Sequence, residues 1–136
     1  MPDISTRIAG SKKILFVDDD KFLLDMYALK FGKAGYEVKT ADSAEAALAL
    51  IKAGLTPDIM LVDIVMPGTD GLDLVTSLRA AHAIPGAAVV MLSNQGASDD
   101  IARAKKLNVD GYIVKATTIP SDVLAEVEKI LAARKT

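Results

Sequence analysis

The amino-acid sequence predicts an α/β protein, a doubly wound five-stranded parallel sheet covered by five helices. The chain has 136 residues, which is the size of one domain. Hydrophobic residues make up 51% of it and charged residues 25%, as is typical of a chain that buries a core. Short apolar segments alternate five times with longer segments of helical period, and this alternation indicates parallel strands joined by crossover helices.

The predicted strands are brief. The first, third and fourth are almost wholly apolar, as expected for central strands that are buried on both faces. The second alternates polar and apolar residues, which favours a half-exposed edge strand. The five predicted strands are Ile14–Val17, Glu37–Thr40, Ile59–Val62, Ala88–Leu92 and Tyr112–Val114.

Capping signals bound the predicted helices. Ser43 is expected to cap the second helix, which ends near Gly54, and Asp70 to introduce the third. Acids fill the first turn of the fourth helix, at 98–100, and Pro120 begins the fifth. The first helix is predicted to stop at Gly35, with an apolar face of Leu23, Met26, Tyr27, Phe31 and Ala34.

Composition excludes several classes of function. Without cysteine there are no thiolate metal sites, and His82 is expected to be a solvated residue near the end of the third helix, without chemistry. A net charge of −2 and few aromatic residues argue against direct nucleic-acid binding. Residues 1–11, a predicted flexible tail before a domain at 12–136, lack a secretory signal, and no apolar run is long enough for a membrane span. We therefore expect a cytoplasmic protein without membrane association.

Polar side chains follow four of the five predicted strands. Asp18–Asp20 follow the first strand, Asp63 the third, Ser93 the fourth and Lys115 the fifth. Each alone has an ordinary explanation, such as a helix cap, a turn or a solvated side chain. In a doubly wound sheet, however, the carboxyl ends of the strands share one edge, where ligands bind. Their coincidence at that edge predicts a functional site.

The acids among these residues predict a bound cation. Two like charges about 4 Å apart repel by about 4 kcal/mol at an effective dielectric constant near 20. Asp18, Asp19 and Asp63 would therefore resist convergence unless a cation joined them. Carboxylate oxygens favour Mg²⁺, which commonly adds a phosphate oxygen to one or two carboxylates. Ser93 can donate to such a phosphoryl oxygen, and Lys115 can offset its charge.

Four segments at these strand ends resemble the CheY-like response-regulator receiver domain. They are VDDD at 17–20, VDIVMPGTDG at 62–71, MLSN at 91–94 and GYIVK at 111–115. Several motifs in the right order are more specific than any single pattern. The resemblance extends from about residue 12 to the end of the last helix, and it implies the flavodoxin-like strand order 2-1-3-4-5.

The resemblance implies a phosphoacceptor and a metal site. Asp63 would take a phosphoryl group from the histidine of a partner kinase. Mg²⁺ would be held by Asp18, Asp19, Asp63 and the backbone carbonyl of Val65.

It also implies a switch. Ser93 would contact the incoming phosphoryl group, Lys115 would pair with it, and Tyr112 would change orientation together with Ser93. The partners would be a sensor histidine kinase or phosphotransfer protein and a downstream protein target, with a phosphorylation-dependent homodimer left open. No output domain is expected after the last helix, so the output would be a protein contact or the chain part of something larger.

Some positions depart from the family pattern. Ala116 replaces the usual proline after Lys115, so we predict a trans peptide there, because a cis bond would cost about 3–4 kcal/mol. Asn94 stands where a smaller residue is usual beside the acceptor. Val65, Asn94 and Gln95 occupy positions that tune phosphoryl lifetime, and apolar Val65 predicts a longer-lived phosphate because it cannot hydrogen-bond an attacking water.

Three alternatives stay open at the level of sequence. Asp18 and Asp20 fit the D-x-D motif of haloacid-dehalogenase-like phosphatases, with Asp18 as the nucleophile, although no later acidic pair completes that site. A flavodoxin-like nucleotide binder would offer hydroxyls and backbone N–H groups in its first loop, where this chain has carboxylates. The third alternative is a metal-binding interaction module that is never phosphorylated.

Overall fold

The computed structural model describes residues 12–93, 98–115 and 119–134. The predicted tail, residues 1–11, lies outside the described residues. The strands are β1 Lys13–Val17, β2 Glu37–Ala41, β3 Ile59–Asp63, β4 Ala88–Ser93 and β5 Gly111–Val114. The helices are α1 Lys21–Lys33, α2 Ala44–Lys52, α3 Gly71–Ala80, α4 Ser98–Lys106 and α5 Pro120–Arg134.

The predicted fold class and strand order are confirmed. All strand pairs are parallel, and the order in the sheet is β2-β1-β3-β4-β5. The strands are slightly longer than predicted because parallel pairing continues past the apolar segments. Asp63 lies opposite Leu92, and Ser93 lies opposite Val114. Both polar side chains therefore belong to the last residues of their strands and not to the loops that follow.

Alternate residues of the central strands enter two separate apolar cores. Leu15 and Met60 lie in the core formed with α2, α3 and α4, while Phe16 and Leu61 lie in the core formed with α1 and α5. Successive side chains of a strand point to opposite faces, so one strand can supply both cores. The near-absence of polar residues in these strands follows from this double burial.

Helix α1 buries only part of the predicted face, since Tyr27 and Phe31 are in the core while Met26 and Ala34 are not. Leu24, Tyr27 and Phe31 are its buried residues, and the ring of Phe16 stacks on that of Tyr27 with centroids 5.0 Å apart. The assignment of Met26 to this face is wrong, since Met26 is 36% exposed. At 3.6 residues per turn, Met26 points away from the line joining Leu24 and Phe31. Ala34, also assigned to that face, is the exposed C-cap.

The predicted helix starts agree with the structure. The Ser43 hydroxyl accepts a hydrogen bond from the Ala46 N–H at 3.0 Å, and Asp70 Oδ1 accepts one from the Asp73 N–H at 2.8 Å. Each cap satisfies a backbone donor that has no partner within its helix. Pro120 begins α5.

The longest helix in the described part of the chain is α5, with 15 residues. None of the described helices combines the length and the apolar character that crossing a membrane requires.

Candidate functional site

The strand register brings three acids together at the carboxyl edge of the sheet. Val17 of β1 lies opposite Val62 of β3, so the residues that follow them, Asp18 and Asp63, are neighbours. Their exposed fractions are 1% and 2%, whereas Asp19 is exposed. Carboxylate oxygens of the three lie within 4.8 Å of one another. This cluster, Asp18, Asp19 and Asp63, is called the acidic cluster below.

Lys115 joins the two buried acids. Its Nζ donates to Asp18 Oδ2 at 2.9 Å and lies 3.3 Å from Asp63 Oδ2, with only 8% of the side chain exposed. Burial alone would lower the pKa of Lys115, but hydrogen bonds to both carboxylates and their negative charges raise it above its ordinary value. Lys115 is therefore a fixed cation, and it offsets part of the cost of burying two carboxylates.

The buried Asp63 carboxylate has only one of its two oxygens paired within the described part of the chain. Burial raises its pKa to about 7, and the negative charge of Asp18 adds to the rise while Lys115 opposes it. Among the described residues, its Oδ1 atom is buried without a hydrogen-bond partner. A buried oxygen in this state costs free energy until a donor or a cation reaches it. The charged form of Asp63 is therefore destabilised by burial, and its Oδ1 atom can accept a donor or a cation.

The three consecutive acids have different partners. Asp18 is fully engaged, because its Oδ1 accepts the Asp20 N–H at 3.0 Å and its Oδ2 accepts Lys115. Asp20 is the N-cap of α1, and its Oδ1 accepts backbone N–H groups of the first turn at 3.0 and 3.2 Å. Asp19 neither pairs with Lys115 nor caps α1, and it belongs to the acidic cluster. Only Asp18 and Asp19 therefore face the site.

Ser93 and Tyr112 belong to the neighbouring strands β4 and β5. Ser93 is buried at the end of β4, opposite Val114. Tyr112 is two residues before Val114, so it shares the face of Ser93, and it packs against the core formed with α2, α3 and α4. The two residues proposed to switch together therefore share one face of neighbouring strands.

The remaining predicted residues either lie at the surface or fall outside the described residues. Val65 is 65% exposed in the loop after β3. Asn94, Gln95 and the peptide bond between Lys115 and Ala116 lie outside the described residues. His82 is exposed just beyond α3, as predicted.

Sequence reasoning missed the relation of Tyr27 to the site. This tyrosine was predicted only as part of a helical apolar face. Its pKa is raised by burial and then by the negative charge of Asp18, while the positive charge of Lys115 opposes the rise and Asp63 adds a smaller contribution to it. Helical spacing identified Tyr27 as buried, but no local pattern indicates which charged groups lie near its ring.

Comparison with known proteins identifies the family. A family profile described as "Response regulator receiver domain" matches residues 14–128. The chain belongs to this family. Receiver domains are phosphorylated signalling switches of two-component systems and not classical enzymes, and they interact with histidine kinases and downstream effectors. Membership does not support the phosphatase and nucleotide-binder alternatives.

Individual proteins agree with this membership. The phosphate regulon transcriptional regulatory protein PhoB of Pseudomonas aeruginosa is 31% identical over 120 residues, covering 88% of this chain and 52% of PhoB. The chain thus spans about half the length of that relative. Chemotaxis protein CheY4 of Vibrio cholerae has a TM-score of 0.80 and 26% identity, covering 88% of this chain and 98% of CheY4. TrrA of Thermotoga maritima, solved in complex with Mg²⁺-BeF, has a TM-score of 0.73 and 29% identity, with the same coverages of 88% and 98%.

The acidic cluster of this receiver domain fits a magnesium ion. Receiver domains bind Mg²⁺ at such a cluster of aspartates. Here three carboxylates offer oxygens within 4.8 Å, and Asp63 Oδ1 has no partner among the described residues. Hard oxygen ligands of this number and charge suit Mg²⁺, which retains several waters beside them.

Proposed function

We propose that this receiver domain accepts a phosphoryl group on Asp63 from a sensor histidine kinase or a phosphotransfer protein. The observation that carries the proposal is the buried Asp63 carboxylate, which faces Lys115 through one oxygen and leaves the other without a described partner. Asp18 is a poorer acceptor because both of its oxygens already accept hydrogen bonds.

The metal ligands in this proposal are Asp18, Asp19, Asp63 and the backbone carbonyl of Val65. When bound, Mg²⁺ would neutralise negative charge on the acids and on the incoming phosphoryl oxygens. Asp63 Oδ1 has no partner among the described residues, whereas Oδ2 lies 3.3 Å from Lys115 Nζ and would have to leave that contact to bond to phosphorus. The presence of Mg²⁺-BeF in the related TrrA structure supports the choice of cation.

Transfer breaks the phosphorus–nitrogen bond of a phosphohistidine and forms a phosphorus–oxygen bond to Asp63. The electron pair of the broken bond stays on the imidazole nitrogen, which can then take a proton from water. A carboxylate nucleophile of this kind needs positioning and charge neutralisation more than covalent assistance. Lys115 supplies a fixed positive charge because its pKa is raised by its two acidic partners.

The switch follows from the new charge on Asp63. Ser93 would donate to a phosphoryl oxygen and Lys115 would pair with another, while Tyr112 reorients on the face that it shares with Ser93. Shifting a population from 1:99 to 99:1 needs about 5.5 kcal/mol. Two or three hydrogen bonds to a charged group, at about 1.5–3 kcal/mol each, are of that order.

Three further proposals concern the whole chain. We propose that residues 12–136 form the receiver domain, that the protein works in the cytoplasm, and that its direct target is a protein. A net charge of −2 gives it little attraction for nucleic acid. The alternative output is a phosphorylation-dependent homodimer. Size-exclusion chromatography of the phosphorylated protein distinguishes a homodimer from a monomer that acts on a separate protein target.

The test uses Mg²⁺, acetyl phosphate as a small phosphodonor, and intact-mass spectrometry. Wild type and Asp25→Asn, which removes an exposed acid of α1, should gain one phosphoryl group. Asp63→Asn should gain none. Wild type that binds Mg²⁺ but stays unmodified would instead favour the metal-binding interaction module. Turnover abolished by Asp18→Asn but not by Asp63→Asn would favour the phosphatase.

A further inference from the structure

Gly71, the first residue of α3, lies directly against the strand that carries Asp63. It is buried, and its N–H donates to the Ile64 carbonyl oxygen at 2.8 Å. This bond closes the loop 64–70 at its base. Helix α3 therefore begins in contact with the peptide of the proposed acceptor, and no role has so far been assigned to the glycine that makes this contact.

The packing leaves no room for a side chain at Gly71. A methyl group there would overlap the Asp63 carbonyl oxygen, and it would lie 2.9 Å from the Asp63 carbonyl carbon and 2.8 Å from Val62 Cγ1. Two of these three atoms belong to the backbone of β3, which cannot rotate away as a flexible side chain can. Any larger residue must move either α3 or the Asp63 peptide.

Neither helix α3 nor the Asp63 peptide can move without disturbing its other contacts. The backbone after Asp63 is tied to the neighbouring strand, because the Ile64 N–H donates to the Leu92 carbonyl oxygen at 2.9 Å. Helix α3 is held by its buried residues Leu72 and Val75 in the core. Close-packed interiors transmit such displacements instead of absorbing them.

We propose that Gly71 is a positioning residue for the acceptor. Its missing side chain lets α3 start against the Asp63 peptide, and this contact fixes the direction of the Asp63 carboxylate toward Lys115 and the acidic cluster. The inference rests on the proposed function, since it concerns the same phosphoryl transfer. A displacement of about 1 Å at a reacting group can cost roughly 100-fold in rate.

The test compares two glycines at opposite ends of the sheet where an added methyl group would overlap a neighbour, which is backbone at Gly71 and the end of a side chain at Gly111. Gly111 begins β5, and a methyl group there would overlap the side chain of Ile130 far from the carboxyl edge. At saturating Mg²⁺, Gly71→Ala should take a phosphoryl group from acetyl phosphate at least about tenfold more slowly than wild type. Gly111→Ala should react at the wild-type rate, although both variants should unfold at lower denaturant concentrations. Equal rates for wild type and Gly71→Ala, or equal slowing of both variants, would overturn the proposal.

A measurement on the wild type keeps the test decisive if Gly71→Ala does not fold. The amide resonance of Gly71 in a ¹H–¹⁵N spectrum should shift when Mg²⁺ is added, while those of Gly32 and Gly111 stay in place. An unchanged Gly71 resonance would overturn the positioning role. Wild type that is never phosphorylated would overturn the proposed function itself, whereas normal phosphorylation of Gly71→Ala overturns only the role of Gly71.

Discussion

Asp63 determines how the stability of the metal-free protein depends on pH. Its pKa is about 7 in the folded protein, chiefly because of burial, against about 3.9 in an unfolded chain. Between these values the folded protein keeps a proton that the unfolded chain has lost. The free energy of unfolding should therefore fall as pH rises from about 4 to about 7.

Asp63→Asn removes this ionisation. The full pKa difference would correspond to about 4 kcal/mol, and loss of the ion pair with Lys115 reduces the expected gain to about 1–3 kcal/mol above pH 7. Urea unfolding in a chelating buffer at several pH values measures this gain in the free energy of unfolding. Asp25→Asn should keep the wild-type pH dependence, and an Asp63→Asn variant that also keeps it would contradict the assigned pKa.

Val65 offers a test of phosphoryl lifetime that leaves the core intact, because its side chain is 65% exposed. An asparagine amide can hydrogen-bond and orient a water molecule, which valine cannot. Val65→Asn should shorten the lifetime by roughly threefold to tenfold, less than the ~10²-fold of a full general base. Mass spectrometry after removal of the donor gives the decay rate, and Val65→Ala is the control. A longer lifetime in Val65→Asn would contradict the role given to this position.

At the scale of secondary-structure elements, salt bridges link α3 and α4. Arg103 of α4 lies 3.1 Å from Asp70 and 3.6 Å from Asp73 at the start of α3, and 3.8 Å from Asp100 within α4. These side chains are partly exposed, so Arg103→Gln should lower the free energy of unfolding by only about 0.5–1 kcal/mol, and less at high salt.

The matched control for this link is Lys129→Gln. Lys129 forms a 3.7 Å ion pair with Glu126 inside α5. Its loss breaks no contact between two elements, so it should lower the free energy of unfolding by less. Urea unfolding at low and high salt measures both variants. Equal losses in the two variants, or a loss in Arg103→Gln that salt does not reduce, would show that the link between α3 and α4 contributes nothing specific.

The elements themselves were largely predictable because their signals are local. Apolar strands, the caps at Ser43 and Asp70, and the proline that starts α5 each depend on a few adjacent residues. Met26 was misassigned because several apolar residues of α1 compete for the buried face, and only packing on the sheet decides which of them enters the core. Partners across the fold, such as Arg103 for Asp70, have no local signal.

For the molecule as a whole, the edge of the sheet was predictable because topology alone collects the strand ends there. That reasoning placed Asp18, Asp63 and Lys115 at one edge, where their side chains in fact meet. It could not specify that Asp63 Oδ1 is left without a partner among the described residues, or that Gly71 touches the acceptor peptide. Such details depend on side-chain packing between distant segments.

Mg²⁺ should stabilise the whole fold through the acidic cluster. A ligand that binds only the folded state at about 100 times its Kd adds about 2.7 kcal/mol to the free energy of unfolding. Asp19→Asn removes an exposed ligand without disturbing a buried contact, so it should keep the metal-free stability and lose most of this gain. Asp58→Asn, at the opposite end of β3, should keep the gain, and thermal unfolding with and without Mg²⁺ compares them. A full gain in Asp19→Asn would remove that residue from the metal site.

The most direct test locates the phosphoryl group. Protein treated with Mg²⁺ and acetyl phosphate is reduced with borohydride, which converts an aspartyl phosphate into homoserine, and tandem mass spectrometry then reports the modified position. The account predicts homoserine at position 63 alone, formed only when Mg²⁺ is present. Homoserine at 18 or 19, or modification that proceeds equally well in a chelator, would contradict it.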